Sequence, residues 1–211
     1  MDFSFVQYIQ QLLQRDLPGE QAHRKLLPPG RKLRAGFKEV PEVKYSSVLL
    51  LLFPHEGRIY TCLTRRNSNM KDHPGQVSFP GGKIEEGESP ELTAMREAQE
   101  EVGVSPLDVR LLGRLSELFV PVSGFTIFPY VGWLDYKPDF VLNHDEAEKL
   151  ILLPIQDFVQ EERVEHTELD TLRGRLTVPC YPYEGEIIWG ATAMILAEFF
   201  ELLREGSLTL Q

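Results

Sequence analysis

The chain has 211 residues, 42% hydrophobic and 26% charged, the composition of an ordinary globular protein with apolar side chains for one sizeable core. Its formal net charge of -10 excludes a protein held mainly by nucleic-acid phosphates or by an anionic membrane surface. A small anionic substrate stays open, because a local basic rim or a bound cation reverses the field at a site.

In chain order, Phe3, Val6, Ile9 and Leu13 recur at helical spacing and predict a short amphipathic helix over residues 3–14, ahead of the breaker at Pro18 and Gly19. This start lacks a basic segment followed by an unbroken apolar core, so no secretory leader is expected. The stretch HRKLLPPGRKLRAGFK reads as a solvated connector, and residues 1–40 are expected to form an N-terminal helix and connector ahead of a main domain over 41–211. YSSVLLLLF is a continuous apolar run before PHEG, and RIYTCLTRR follows it. The two predict paired strands, the first buried on both faces. Cys62 lies in the second of them, far from Cys180 and without histidines at ligand spacing. That pattern argues against a disulfide framework or a zinc site and for a reducing cytoplasm. GFTIFPYVGWLDY, KLILLPI, RVEHTELD and RLTVPCYPY read as further strands, the last weakened by its prolines. The segment WGATAMILAEFFELLRE closes the pattern with a core-facing helix, in which Trp189 and the phenylalanines are expected to be core. No segment reaches transmembrane length, and the economical architecture is a mixed sheet with helices packed on it.

Between the second and third predicted strands lies SPELTAMREAQEEVG. Ser89 is a good N-cap acceptor, Pro90 costs nothing in a first helical turn and Gly103 suits a helix exit, so a helix over Pro90–Val102 is predicted. At about 100° per residue, Glu97, Glu100 and Glu101 share an arc of about 100°. Leu92, Met95, Ala98 and Val102 are expected to form the opposite, buried face. Carboxylates so spaced repel one another, and more so in a cleft of low dielectric, so a positive partner is expected. Hard oxygen ligands without Cys or His suit Mg²⁺ or Mn²⁺ better than zinc.

Gly82, Glu88, Arg96, Glu97, Glu100, Glu101 and Gly103, with Ala98 and Val104 at two apolar positions, fit the pattern G-x5-E-x7-R-E-U-x-E-E-x-G-U. Seven fixed positions put a chance match at a given start on the order of 10⁻⁹. The pattern is the Nudix box, and the stretch resembles Nudix hydrolases, which cleave a nucleoside diphosphate linked to another moiety. The resemblance implies an α/β fold, an α/β/α sandwich with a mixed sheet, and a catalytic group made of Glu97, Glu100, Glu101, Arg96 and Glu88. It implies divalent metal, Mg²⁺ or Mn²⁺, on Glu97, Glu100, Glu101 and the Gly81 carbonyl, with Glu88 paired to Arg96. It further implies metal-assisted attack of water on phosphorus. A general base is open among Glu97, Glu146 and Glu148, the last two from the run NHDEAEKL, which composition alone reads as a solvated loop.

Upstream, CLTRRNSNMKDHPGQVSFPGG is similar to the second signature of the coenzyme A pyrophosphatase branch of that family. Leu63, Thr64, Arg66, Gly75, Phe79, Pro80, Gly81 and Gly82 match, whereas Cys62, Asn67 and Lys71 depart. Lys71 keeps the charge of the usual arginine without its two-pronged recognition of phosphate. The resemblance implies a coenzyme A-like nucleoside diphosphate as partner, neither nucleic acid nor membrane, with Arg66, Lys71, Gly82, Phe79 and Lys83 on the substrate. Arg65 is expected to point to the opposite face of its strand. A homodimer is an admissible assembly. The alternatives are a Nudix hydrolase of another diphosphate, such as ADP-ribose, NADH or a dinucleotide, and a silent ligand sensor of the same fold.

Overall fold

Strand β1 (Lys44–His55) is the spine of the molecule, because its apolar run alternates between two cores. Leu49, Leu51 and Phe53 belong to one core, and Leu50 and Leu52 to the other, all fully buried. The computed structural model describes residues 3–31, 33, 44–70, 73–161, 163–171 and 174–206.

Strand β2 (Arg58–Arg66) turns back on β1, with Leu52 opposite Thr61. Two short strands follow, β3 (Val77–Ser78) against β2 and β4 (Gly81–Lys83) against the first half of β1, with Ser47 opposite Gly82. Helix α3, which takes its number after the two N-terminal helices, spans Pro90–Val102. Strands β5 (Arg110–Arg114), β6 (Leu118–Val120) and β7 (Phe125–Trp133) come next. Strand β7 lies parallel to β1 from Lys44–Phe125 to Leu52–Trp133, while β5 and β6 pair antiparallel with β7. Strand β8 (Ala147–Pro154) closes on the other edge of β2. The eight strands form one mixed sheet, as expected. A second, three-stranded antiparallel sheet of β9 (Glu165–Thr171), β10 (Gly174–Tyr183) and β11 (Glu186–Trp189) packs beside it. Strand β10 pairs on both sides although Pro179 and Pro182 each remove a ladder donor.

Helix α3 covers one face of the main sheet. The other face is covered by α5 (Gly190–Glu205) together with α1 (Phe3–Leu12), whose Val6, Ile9 and Leu12 lie in the same core as α5. A short α4 (Ile155–Gln160) follows β8. The N-terminal connector is less solvated than its composition suggests: α2 (Gly19–His23) starts at the expected breaker, and Ala22, His23 and Leu26 are buried. His23 Nε2 lies 2.8 Å from Oε2 of the fully buried Glu198 of α5. The Glu198 carboxylate also accepts from the Ser116 and Gly19 backbone N–H groups at 3.1 and 3.3 Å. The expected boundary between residues 40 and 41 lies outside the described residues.

Candidate active site

The ends of α3 form as local chemistry dictates. Ser89 Oγ accepts from the Leu92 N–H at 3.4 Å, Pro90 opens the first turn, and Gly103 closes the helix at φ +74°. The expected burial of its faces needs correction. Thr93, Ala94, Ala98, Glu101 and Val102 are the buried residues, whereas Leu92 is 55% exposed. Small side chains at 94 and 98 let the helix settle close to β1, and the arc centred on them includes Glu101. The carboxylates therefore rise along the flank of the buried face and not from its back.

Glu101 is 3% exposed. Its Oε1 accepts from the Gly81 N–H at 3.4 Å and its Oε2 from the Thr64 hydroxyl at 3.4 Å. Burial pushes its carboxyl up to about 8, with the Glu97 charge adding to the shift and the Gly81 N–H and Arg66 opposing it. Burial likewise raises Glu97, against the pull of Arg96. The third member comes from far along the chain: Glu146, in the loop between β7 and β8, brings a carboxylate oxygen within 4.8 Å of those of Glu97 and Glu101. Glu100 stands apart from this group. Its side chain is 52% exposed and accepts from Arg96 Nη1 at 3.1 Å.

Glu88 and Arg96 pair as expected and in two-pronged form, Nε to Oε1 at 2.9 Å and Nη2 to Oε2 at 3.1 Å. Arg96 holds the Glu88 carboxyl down at about 2. The same guanidinium reaches Glu97 Oε1 at 2.8 Å and, at 3.5 Å, donates to the Lys83 carbonyl. It thus ties loop, strand and helix to one point. The two glycines before the helix are sterically required. A Cβ at Gly82 would overlap the Glu97 carboxylate, and one at Gly81 would overlap the Ser47 carbonyl and Val48.

The expected substrate residues divide. Thr64 and Arg66 lie on the α3 side of β2; Arg66 is half-buried, near enough to Glu101 to lower its pKa, and its Nε is buried without a hydrogen-bond partner among the described residues. Arg65 points the other way, into an ion network with Glu148 at 2.6 Å and Glu186 at 3.4 Å. That network holds Glu148 away from the cluster. Phe79, expected on the substrate, is corrected to core, at 2% exposure. The Lys83 side chain is exposed, with its carbonyl bound by Arg96. Lys71 lies outside the described residues. Trp189, expected in the core, is half-buried and lines a cleft of about 270 Å³ with Arg65 and Glu186. Asn143 is the residue that the sequence reading did not weigh. Its place in NHDE, before an acidic residue at a turn, is the signal of a side chain that bonds its own backbone.

The family model described as the NUDIX domain matches residues 44–173. Relatives include the uncharacterised Nudix hydrolase NudL of Pectobacterium atrosepticum, 32% identical over 166 residues, which are 78% of this chain and 85% of that protein. Nudix hydrolase 3 of Caenorhabditis elegans is 28% identical over 175 residues, 74% of this chain and 72% of that one. Among solved structures, a MutT/nudix family protein from Enterococcus faecalis superposes at TM-score 0.53 with 15% identity, over 96% of this chain and 74% of that chain. RenU, a Nudix hydrolase from M. smegmatis, does so at 0.51 with 18% identity, over 88% and 95%. These structural likenesses bear on the fold. Among the described residues no helix is long and apolar enough to cross a membrane.

Proposed function

The chain belongs to the Nudix domain family, and from that membership we propose that it hydrolyses the diphosphate of coenzyme A or acyl-coenzyme A to 3′,5′-ADP and 4′-phosphopantetheine or its acyl form. The observation that carries the hydrolytic site is the convergence of Glu97, Glu101 and Glu146 within 4.8 Å, beside Arg66. The upstream segment from Leu63 to Gly82, which matches the coenzyme A signature at eight positions, supports the substrate.

Three carboxylates at this separation, one of them buried, fit a divalent cation: their mutual repulsion and desolvation need compensation, and the donors are all hard oxygens. Glu97 and Glu101 would hold Mg²⁺ or Mn²⁺, with the Gly81 carbonyl and Glu100 as further ligands at the rim, and Glu146 would add its charge beside the ion while keeping an oxygen for the attacking water. Such an ion supplies positive charge against the diphosphate and acidity to bound water. Arg66 presents a guanidinium whose Nε, without a partner among the described residues, suits a phosphate oxygen. Arg96, held by Glu88, fixes the orientation of Glu97. Of the candidate bases, Glu148 is engaged by Arg65 and Glu97 by Arg96, which leaves Glu146 to take the proton of the attacking water. One phosphoric anhydride P–O bond breaks, its electron pair leaves on the bridging oxygen, and water oxygen bonds to phosphorus.

Mass-spectrometric product analysis on coenzyme A and several acyl derivatives, against ADP-ribose, NADH and a dinucleotide at equal Mg²⁺ or Mn²⁺, tests the reading. The expected result is 3′,5′-ADP as a product at the highest kcat/KM. Faster turnover of ADP-ribose or a dinucleotide would overturn the substrate and leave the hydrolytic site standing.

A further inference from the structure

Resting on the reading of Glu146 as part of the site, we propose that Asn143 is a positioning residue that ties the loop carboxylate of Glu146 to the backbone of α3 at Glu101. Asn143 is placed for this with every polar group it has. Its N–H donates to the Glu101 carbonyl at 2.9 Å, at the C-terminal end of α3, where that oxygen has lost its helical donor. Its own carbonyl accepts from the N–H groups of Glu146 at 3.1 Å and Ala147 at 2.9 Å. In the side chain, the Asp145 N–H reaches Oδ1 at 3.1 Å. A backbone N–H is a donor only, so this contact identifies the side-chain oxygen and turns the amide nitrogen outward. That nitrogen, Nδ2, donates to Glu146 Oε1 at 3.2 Å. One residue therefore binds the backbone of one cluster member and the carboxylate of another.

The loop needs such a holder because no regular element carries it. Residues 143–146 form a turn ahead of β8, and the Glu146 carboxylate must be kept beside those of Glu97 and Glu101 against the repulsion of like charges. A second anchor acts from the side of β2: the Asn67 N–H donates to the Glu146 carbonyl at 2.8 Å, and its side-chain amide donates to the His144 carbonyl at 2.9 Å. Asn67 stands where the coenzyme A signature has a small residue, so the His144 bond is a tether that the usual side chain would not make. The two asparagines fix the backbone of the turn, and Asn143 also aims the carboxylate.

Asn143→Ser tests this, since a serine hydroxyl still accepts from the Asp145 N–H and keeps the turn but is too short to reach Glu146. The variants Asn143→Ser, Glu146→Gln and the double variant are compared for kcat, KM and Mn²⁺ affinity by titration calorimetry, with thermal melts as the check of folding. Asn143→Ser is expected to lower kcat about tenfold with KM changed less than twofold, and to weaken Mn²⁺ binding several-fold, the scale of one hydrogen bond to a charged group. Glu146→Gln is expected to cost at least about 100-fold. The double variant should be no slower than Glu146→Gln alone, because a residue acting through Glu146 has nothing left to position. Multiplicative losses in the double variant, or an unchanged kcat and Mn²⁺ affinity in Asn143→Ser, would overturn the role of Asn143. An unaffected Glu146→Gln would instead remove Glu146 from the site, a separate failure visible in the same set.

Discussion

Arg96 and Glu88, eight residues apart, meet through two parallel hydrogen bonds, and the same guanidinium holds Glu97. Lysine offers a point charge in place of this fork. Arg96→Lys is therefore expected to keep the fold, lower kcat about tenfold, and cost about 1–2 kcal/mol in a denaturant melt. Glu88→Gln should do the same to a smaller degree. Equal activity in both variants would show that Glu97 orients itself without them.

Titration of the metal-free protein has a sign that follows from two carboxylates shifted in opposite directions. Glu101 titrates near 8 in the folded chain and near its ordinary 4.5 when unfolded. Its contribution to stability is complete below 4.5 and is lost as pH rises through 8. Glu88, held at about 2, contributes above 4.5 and loses that contribution as pH falls toward 2. In EDTA the Tm should thus fall between about pH 5 and 8, and Glu101→Gln should flatten that slope. Saturating Mg²⁺ or Mn²⁺ should also flatten it, because the cation compensates the ionised form. A Tm in EDTA that rises across this window contradicts the assignment.

The two glycines at the head of the site separate folding from function. A methyl at Gly82 meets the flexible end of Glu97, whereas one at Gly81 meets the backbone of β1. Gly82→Ala is expected to melt within a few degrees of the parent and lose most of its Mn²⁺ affinity. Gly81→Ala is expected to lose several kcal/mol of stability, on the scale of overpacking a close backbone approach. Far-UV circular dichroism melts beside calorimetric metal titration distinguish the two.

Among the acidic residues, position ranks the effects. Glu101, buried and bonded to Gly81 and Thr64, and Glu146 should each cost at least about 100-fold in kcat as glutamine variants. Glu100, half in solvent and bonded to Arg96, should cost less. Chelation should abolish turnover in the parent, and divalent metal at 100 times its Kd should stabilise it by about 2.7 kcal/mol. The order is read from steady-state rates at saturating metal.

The sequence carried the ends of α3 completely, since Ser89, Pro90 and Gly103 act through bonds within their own turns. It carried the Glu88–Arg96 pair through the family resemblance. It did not carry the packing face, because helical spacing orders residues around an axis without saying which arc meets the sheet; Ala94 and Ala98 decided that by their small size, and Leu92 was left exposed. It offered Glu146 as a candidate base but not as a member of the carboxylate cluster, because its distance from α3 is closed by β5–β7 and by Asn143, so that a run reading as a polar loop supplies the third carboxylate. Phe79 misled for a related reason. A signature fixes which residues recur beside a substrate, and some of them serve by filling the core beneath it.

Glu198 stands in the middle of α5 with its carboxylate bound by His23 and by the Gly19 and Ser116 amides. A chain begun where the family match begins, at residue 44, would keep this anion in the interior and discard His23 and Gly19. Stranding a buried charge in this way costs about 3–5 kcal/mol, a large share of what holds most single domains together. The contacts that hold α5 in place thus reach back beyond the residues that the family model matches, into α1 and α2, whose side chains share its core and its buried ion pair.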